Sequence, residues 1–324
     1  MKNVSISLQR ASVVITLLIG PGVTSAATGN LFESDNNTGV INQFTSAGVK
    51  SVFAFGLSAP SGLAFDKAGN LYESDTNTDT INRFTPTGTK SRFASPLNGP
   101  YGLAFDASGN LYEADNGTGR VLKFTQTGTQ TTFVAAGLSN IVGVAVDSGG
   151  NLYISDIFTG SINRFTPSGV KTTFASGLDR PFGLAIDRDD SLYEADNSGN
   201  IFKFSSSGVK STFASGLSRP YGLTLDSFGN LYEADYGSGS IFAFTPAGVK
   251  STFATGLNGP TFLAFGPSAV PEPSSWLTLL GGGLLLSAAT SRKRQVAAAT
   301  GRVFEAPSAP QQQGLQSASM ALSR

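Results

Sequence analysis

Five glutamates and five aspartates recur at matched places along this chain, and they are its side chains best suited to chemistry. Glu33, Glu73, Glu113, Glu194 and Glu233 stand in segments reading FESD, YESD and, three times, YEAD. The matched aspartates are Asp75, Asp115, Asp156, Asp196 and Asp235. Glutamates turned toward one centre would make an oxygen-rich ring able to hold Ca²⁺, which takes about six to eight oxygen ligands. Glutamates enclosed in a core would instead need backbone, Tyr, Lys or Arg partners, because an unpaired buried charge costs several kcal/mol. Each aspartate is equally suited to an Asx turn that closes a hairpin. The chain has no histidine and no cysteine. Imidazole acid–base chemistry, disulfides and thiolate metal sites are therefore excluded. The Gly-x-Gly fragments at Gly117 and Gly237 fall in hairpin turns and open no helix, so they are not phosphate-cradling loops.

The elements that position these carboxylates come from a unit of about forty residues, written six times. GNLFESD begins at Gly29, and its counterparts begin at Gly69, Gly109, Gly150, Asp190 and Gly229. A second marker, GLAFD and its variants, places Leu63, Leu103, Val144, Leu184 and Leu223 at steps of 40, 41, 40 and 39 residues. Within one unit the segments 62–66, 70–75, 80–85 and 89–94 are short, rich in β-branched and aromatic residues, and bounded by turn residues, which predicts four antiparallel strands. No window carries an apolar 3.6-residue period long enough for a helix. The first unit lacks the GLAFD marker, and an orphan FLAFG surrounds Leu263 after the last. The expected fold is therefore all-β: a six-bladed β-propeller of four-stranded antiparallel blades, closed by a composite blade from residues 261–266 and 30–54. A β-solenoid would leave the two unmatched halves unexplained.

Between Ala27 and Val270 there are 15 Lys plus Arg against 20 Asp plus Glu, a net charge of −5, with no basic cluster. Nucleic acid is not an expected partner. Residues 1–27 have the layout of a secretory signal peptide, with Lys2 and Arg10 ahead of an apolar run and small residues at Ser25 to Ala27. Residues 28–268 form the expected propeller, monomeric, and 296–324 an Ala/Gln/Ser-rich disordered tail. Between them, residues 269–295 hold Pro271, Glu272 and Pro273, the apolar stretch Trp276 to Ala289, and the basic cluster Arg292, Lys293 and Arg294. These three elements, in this order, resemble the PEP-CTERM sorting signal of Gram-negative bacteria. The resemblance implies a short transmembrane helix serving as a transient inner-membrane anchor, recognition by an exosortase, and delivery to the cell surface or extracellular matrix.

The repeat itself resembles the NHL family of six-bladed propellers. The unit containing Pro220, Gly222, Leu223, Leu225, Asp226, Gly229, Asn230, Leu231, Tyr232, Ala234 and Asp235 follows the family's P-x-G-h-A-h-D-x-x-G-N-h-Y-h-A-D pattern nearly position by position. A looser likeness extends to gluconolactonase-like propellers, which use a carboxylate-held divalent metal, and to virginiamycin-lyase and peptidyl-amide-lyase propellers, which depend on histidine. With no histidine present, the latter chemistries do not carry over. Strand order puts the P-x-G loops and the loops after the aspartates on one rim. Tyr101, Phe182 and Tyr221, with Arg180 and Arg219, are the candidate ligand contacts there. The fourth unit departs most from the repeat: Ile141 and Val142 replace Pro-aromatic, Ile154 replaces the glutamate, and Ile157 with Phe158 replaces a polar turn. Those residues predict a local apolar patch, either open to a partner or ligand or closed by mutual burial of the two loops. The function expected is a non-catalytic binding or structural module of the envelope or matrix, taking a surface polysaccharide or a protein. The alternative is a gluconolactonase-like metal-dependent hydrolase using channel carboxylates, with Glu33, Glu73, Glu113, Glu194 and Glu233 as candidate Ca²⁺ ligands.

Overall fold

Each unit folds on itself because its turn residues leave little choice. In the second blade the Asp66 carboxylate accepts the backbone N–H groups of Ala68 and Asn70 at 2.9 and 2.8 Å, an Asx turn closing the first hairpin. The computed structural model describes residues 29–267, and these form 24 strands in six four-stranded sheets. In the second blade the strands are Pro60–Phe65, Leu71–Asp75, Thr80–Phe84 and Lys90–Ala94, within two residues of the spans expected at every end. Every neighbouring pair within a blade is antiparallel. The six sheets form a ring in which inner strands of adjacent blades touch, which is a six-bladed β-propeller.

The composite blade closes that ring as the unmatched halves require. Pro260–Phe265 pairs antiparallel with Leu31–Asp35, with Leu31 opposite Phe265 and Glu33 opposite Leu263. The Asn258 N–H donates to the Asp35 carboxylate at 2.9 Å, so the two ends of the described chain are tied by side chain as well as by ladder. Val40–Phe44 and Lys50–Ala54 complete this blade.

The inner strands crowd the axis. A Cβ added at Gly102 would lie 2.2 Å from the Val142 carbonyl oxygen of the next blade, and one at Gly183 would meet the Tyr221 carbonyl at the same distance. The P-x-G glycine is thus a packing requirement between blades. Between sheets the core is aromatic. Phe44, Phe84, Phe124, Phe165, Phe204 and Phe244, each ending the third strand of its blade, are among the most deeply buried side chains. Tyr72 meets Phe93 of its own blade and Phe105 of the next edge-to-face at 4.9 and 5.1 Å. Outer strands are exposed over their first three residues, so each blade grades from a buried inner edge to a wet outer one. Among the described residues no helix is long and apolar enough to cross a membrane. The expected signal peptide, sorting-signal helix and C-terminal tail lie outside the described residues.

Candidate functional site

Along each second strand, side chains alternate between two interfaces. In the second blade Tyr72 and Ser74 face the following blade, where the Ser74 hydroxyl donates to the Tyr101 carbonyl. Leu71, Glu73 and Asp75 face the preceding one. The five glutamates therefore lie one strand out from the axis, wedged between blades, and all are fully buried. Glu33 and Glu73 each accept one hydrogen bond, from Asn42 and Asn82 across the strand pair, at 2.8 and 2.9 Å. Opposite Glu113, Glu194 and Glu233 stand Leu122, Phe202 and Phe242, and neither carboxyl oxygen of these three has a partner.

Burial decides their charge. Desolvation pushes Glu33 and Glu73 up to about 8, against the lowering effect of the asparagine, and raises Glu113, Glu194 and Glu233 well above 4.5. Burial among apolar neighbours thus favours the neutral form of all five.

These residues do not fit a channel metal. The inner strands carry no acidic residue, and a cavity of about 320 Å³ on the axis is lined instead by Leu63, Leu103, Leu184, Leu223 and Leu263 with their neighbours. Among the described residues no three acidic side chains gather in a group suited to a metal ion. Leucine stands where the alternative of a channel carboxylate ring would need oxygen, because a side chain on the second strand, facing sideways between sheets, does not reach the axis.

The aspartates work as brackets. Asp75 accepts the Ser58 N–H at 2.9 Å from the loop entering its blade and the Thr78 N–H at 3.3 Å from the turn that follows. Asp235 does the same with Ser218 and Ser238 at 2.7 and 2.9 Å, and Asp196 takes Asp179 and Ser198 N–H groups, both at 2.8 Å. Backbone amides therefore occupy these carboxylates, which hold the rim loops in place.

The mouth of the channel breaks the symmetry. Position two of each inner strand rings it as Ser61, Tyr101, Val142, Phe182, Tyr221 and Thr261. On the first two blades hydroxyls bond one another: Ser34 to Thr261 at 2.9 Å, and Ser61 to Thr76 at 2.9 Å. On the last two blades aromatic rings stack. Phe182 lies 4.1 Å from Tyr221, and Tyr221 lies 4.9 Å from Tyr236, at interplanar angles of 27° and 29°. The Arg219 guanidinium stands 4.9 Å from the Tyr236 ring centre and donates to the Tyr221 hydroxyl at 3.2 Å. Tyr101 belongs to the third blade, across the ring, and its phenol is pushed up by burial first and then by the Tyr221 and Tyr236 phenols. Tyr236 was not among the expected contacts. Its signal was present: it fills a place where the other units carry Asn, Thr or Ile.

Arg180 and Arg219 are exposed and hold left-handed backbones, with φ of 55° and 62°. Gly99 and Gly259 occupy the matching places of the third and first blades, with φ of 60° and 119°. A non-glycine residue there costs about 1–2 kcal/mol. The fourth blade provides less than its sequence suggests. Ile141 and Val142 are buried, Ile157 is half-buried with its N–H bonded to the Asn140 carbonyl at 2.9 Å, and only Phe158, 81% exposed, faces solvent fully. The two loops cover each other and leave one protruding ring.

Several known proteins resemble this chain. A PEP-CTERM protein-sorting motif matches residues 269–294, which marks the chain as an exported, exosortase-processed cell-surface protein. Among solved structures, a chain of a nidogen–laminin complex is 22% identical with a TM-score of 0.68, covering 74% of this chain and 98% of that one. A gluconolactonase from Xanthomonas campestris is 17% identical at TM-score 0.60, over 74% and 92% of the two chains. A catalytically inactive histidine-to-alanine virginiamycin B lyase from Staphylococcus aureus, solved with quinupristin, is 18% identical at 0.58, over 76% and 94%. At such identities the likeness shows the fold alone. No curated protein matches the chain. The virginiamycin B lyase family model matches residues 11–244, and the chain belongs to that family.

Proposed function

We propose that this propeller is a non-catalytic binding module of the cell surface or extracellular matrix, and that its ligand is a surface polysaccharide held at the channel mouth. One observation carries the reading: the Phe182–Tyr221–Tyr236 ladder with Arg219 on one side of the mouth. A sugar ring has an apolar C–H face that packs on an aromatic ring and an equator of hydroxyls that bond to Ser, Thr and Asn. Rigid aromatic side chains lose little conformational freedom on binding, which suits them to such a surface.

Catalysis is not supported by the residues at hand. The Staphylococcus aureus lyase named above is inactive when one histidine becomes alanine, and this chain has no histidine anywhere. Lactone hydrolysis on a channel metal lacks its ligands, because the axis is lined by leucine. Before release to the surface, the stretch Trp276 to Ala289 would hold the chain transiently in the inner membrane and an exosortase would cut near Pro271 to Pro273; this segment lies outside the described residues.

The test is affinity electrophoresis of the purified full chain through gels containing matrix polysaccharides, alongside the Tyr221→Ala, Tyr236→Ala double variant. Retardation of the parent and not of the variant is expected. Equal retardation of both would place binding elsewhere, and turnover of a lactone or a streptogramin would refute a non-catalytic role.

A further inference from the structure

The two arginines on the rim point to the charge of the ligand. Arg180 and Arg219 are neighbours in the ring, each one residue ahead of the inner-strand proline of its blade, and each is exposed in a left-handed backbone that the first and third blades give to glycine and the second and fourth do not adopt. A strained conformation kept for a long cationic side chain, in blades whose relatives relieve it with glycine, is a mark of use.

Neither guanidinium is in an ion pair among the described residues. The carboxylates closest along the rim, Asp196 and Asp235, are buried and turned to backbone amides. Asp179, next to Arg180 in sequence, accepts the Asn197 side-chain amide at 3.5 Å. The two ion pairs among the described residues, Lys123 with Asp106 and Lys203 with Asp187, belong to the hairpins at the opposite end of the blades. The five glutamates are fully buried between blades. The aromatic half of the mouth thus presents two exposed guanidinium groups that no carboxylate pairs with among the described residues.

We infer that the site selects an acidic saccharide: a polymer whose sugar rings stack on the Tyr221–Tyr236 side of the mouth while their carboxylates meet Arg180 and Arg219. Arginine suits this task because its planar guanidinium forms two parallel hydrogen bonds to a carboxylate. Arg219 is already held by the Tyr221 hydroxyl and the Tyr236 face, so little of its freedom remains to be lost on binding. An acidic peptide shares the charge, but it offers no ring face matching the aromatic ladder.

This inference rests on the binding reading above, and its test separates the two. The full chain is titrated with polygalacturonate, with uncharged dextran and with poly-glutamate, and compared with an Arg180→Gln, Arg219→Gln double variant whose thermal midpoint is measured in parallel. Expected are binding of polygalacturonate at least about tenfold tighter than dextran, weakening with added salt, and a loss of about tenfold or more in the variant at an unchanged midpoint. Equal binding of polygalacturonate and dextran, or a variant that binds like the parent, overturns the acidic preference and leaves polysaccharide binding standing. Arginine-dependent binding of poly-glutamate as tight as that of polygalacturonate overturns the saccharide class. Failure of both polysaccharides to bind overturns this inference together with the function it rests on.

Discussion

The first and last blades share one backbone and do different work. In the composite first blade, small hydroxyl residues such as Ser34 and Thr261 bond each other and the chain's two described ends are joined by a strand pair. In the sixth, Tyr221 and Tyr236 stack and Arg219 accepts a strained backbone to cap them. The P-x-G approach, the bracketing aspartate and the buried glutamate recur in both regions with small changes, so they explain the ring and not its use. Phe262, standing where other blades have the P-x-G glycine, is the one irregularity that belongs to closure. A repeat conserves what every blade must do, and the place where side chains diverge without backbone change is where a ligand is to be sought.

That contrast can be broken most severely at the seam. Deleting residues 258–267 removes the inner strand of the composite blade and should abolish cooperative urea unfolding altogether, since the exposed ladder of Leu31–Asp35 would have no partner. Truncation of the equivalent strand positions by Leu263→Ala should cost about 2–5 kcal/mol in the same measurement. A deletion that still melted cooperatively at the parental midpoint would show that the ring does not depend on its seam.

The buried glutamates give the next largest effect, shared by both regions. Their folded values lie above the unfolded 4.5, so the stability they lend is fully present below pH 4.5 and is lost as pH rises through about 8. For Glu33 and Glu73 together the loss is of the order of several kcal/mol, seen as a falling urea midpoint across that window. Glu233→Gln, replacing a carboxyl that has no partner, should flatten part of this slope. An unchanged pH profile would mean that these groups find water or cations.

Smaller and opposite in sign is Arg180→Gly. Relieving the left-handed backbone should raise stability by about 1 kcal/mol while weakening polygalacturonate binding, a trade that no substitution in the first blade should show. The smallest effect belongs to Phe158→Asp. That ring stands alone and exposed, so stability should stay within about 0.5 kcal/mol and polysaccharide binding should be unaltered. Loss of binding in that variant would move the site toward the fourth blade.

Most of the fold was legible in the chain. The forty-residue spacing, the turn glycines and the two incomplete end units lead to six blades and a composite seam, because strand period and turn chemistry are local properties. Tyr101, Phe182, Tyr221, Arg180 and Arg219 were legible as rim residues for the same reason. The glutamates were not. Alternation along a strand says that Glu73 and Leu71 share a side, but whether that side meets the channel or a neighbouring sheet depends on which strand lies innermost and how the sheets are tilted around the axis. The apolar residues of the fourth blade leave exposure and mutual burial both open in the sequence, and Ile141 and Val142 are enclosed because two loops that are distant in sequence fold over each other.

The amino-acid order by itself determined how many blades there are, how each hairpin turns and where the ring must join, since these follow from spacing, backbone conformations that glycine permits, and pairing of adjacent segments. Only the tertiary structure decided that five acids are buried between blades, that leucine lines the axis, and that Tyr236 joins Phe182, Tyr221 and Arg219 in one ladder. Those outcomes depend on distances between blades, and burial and charge are set by neighbours that lie far away along the chain.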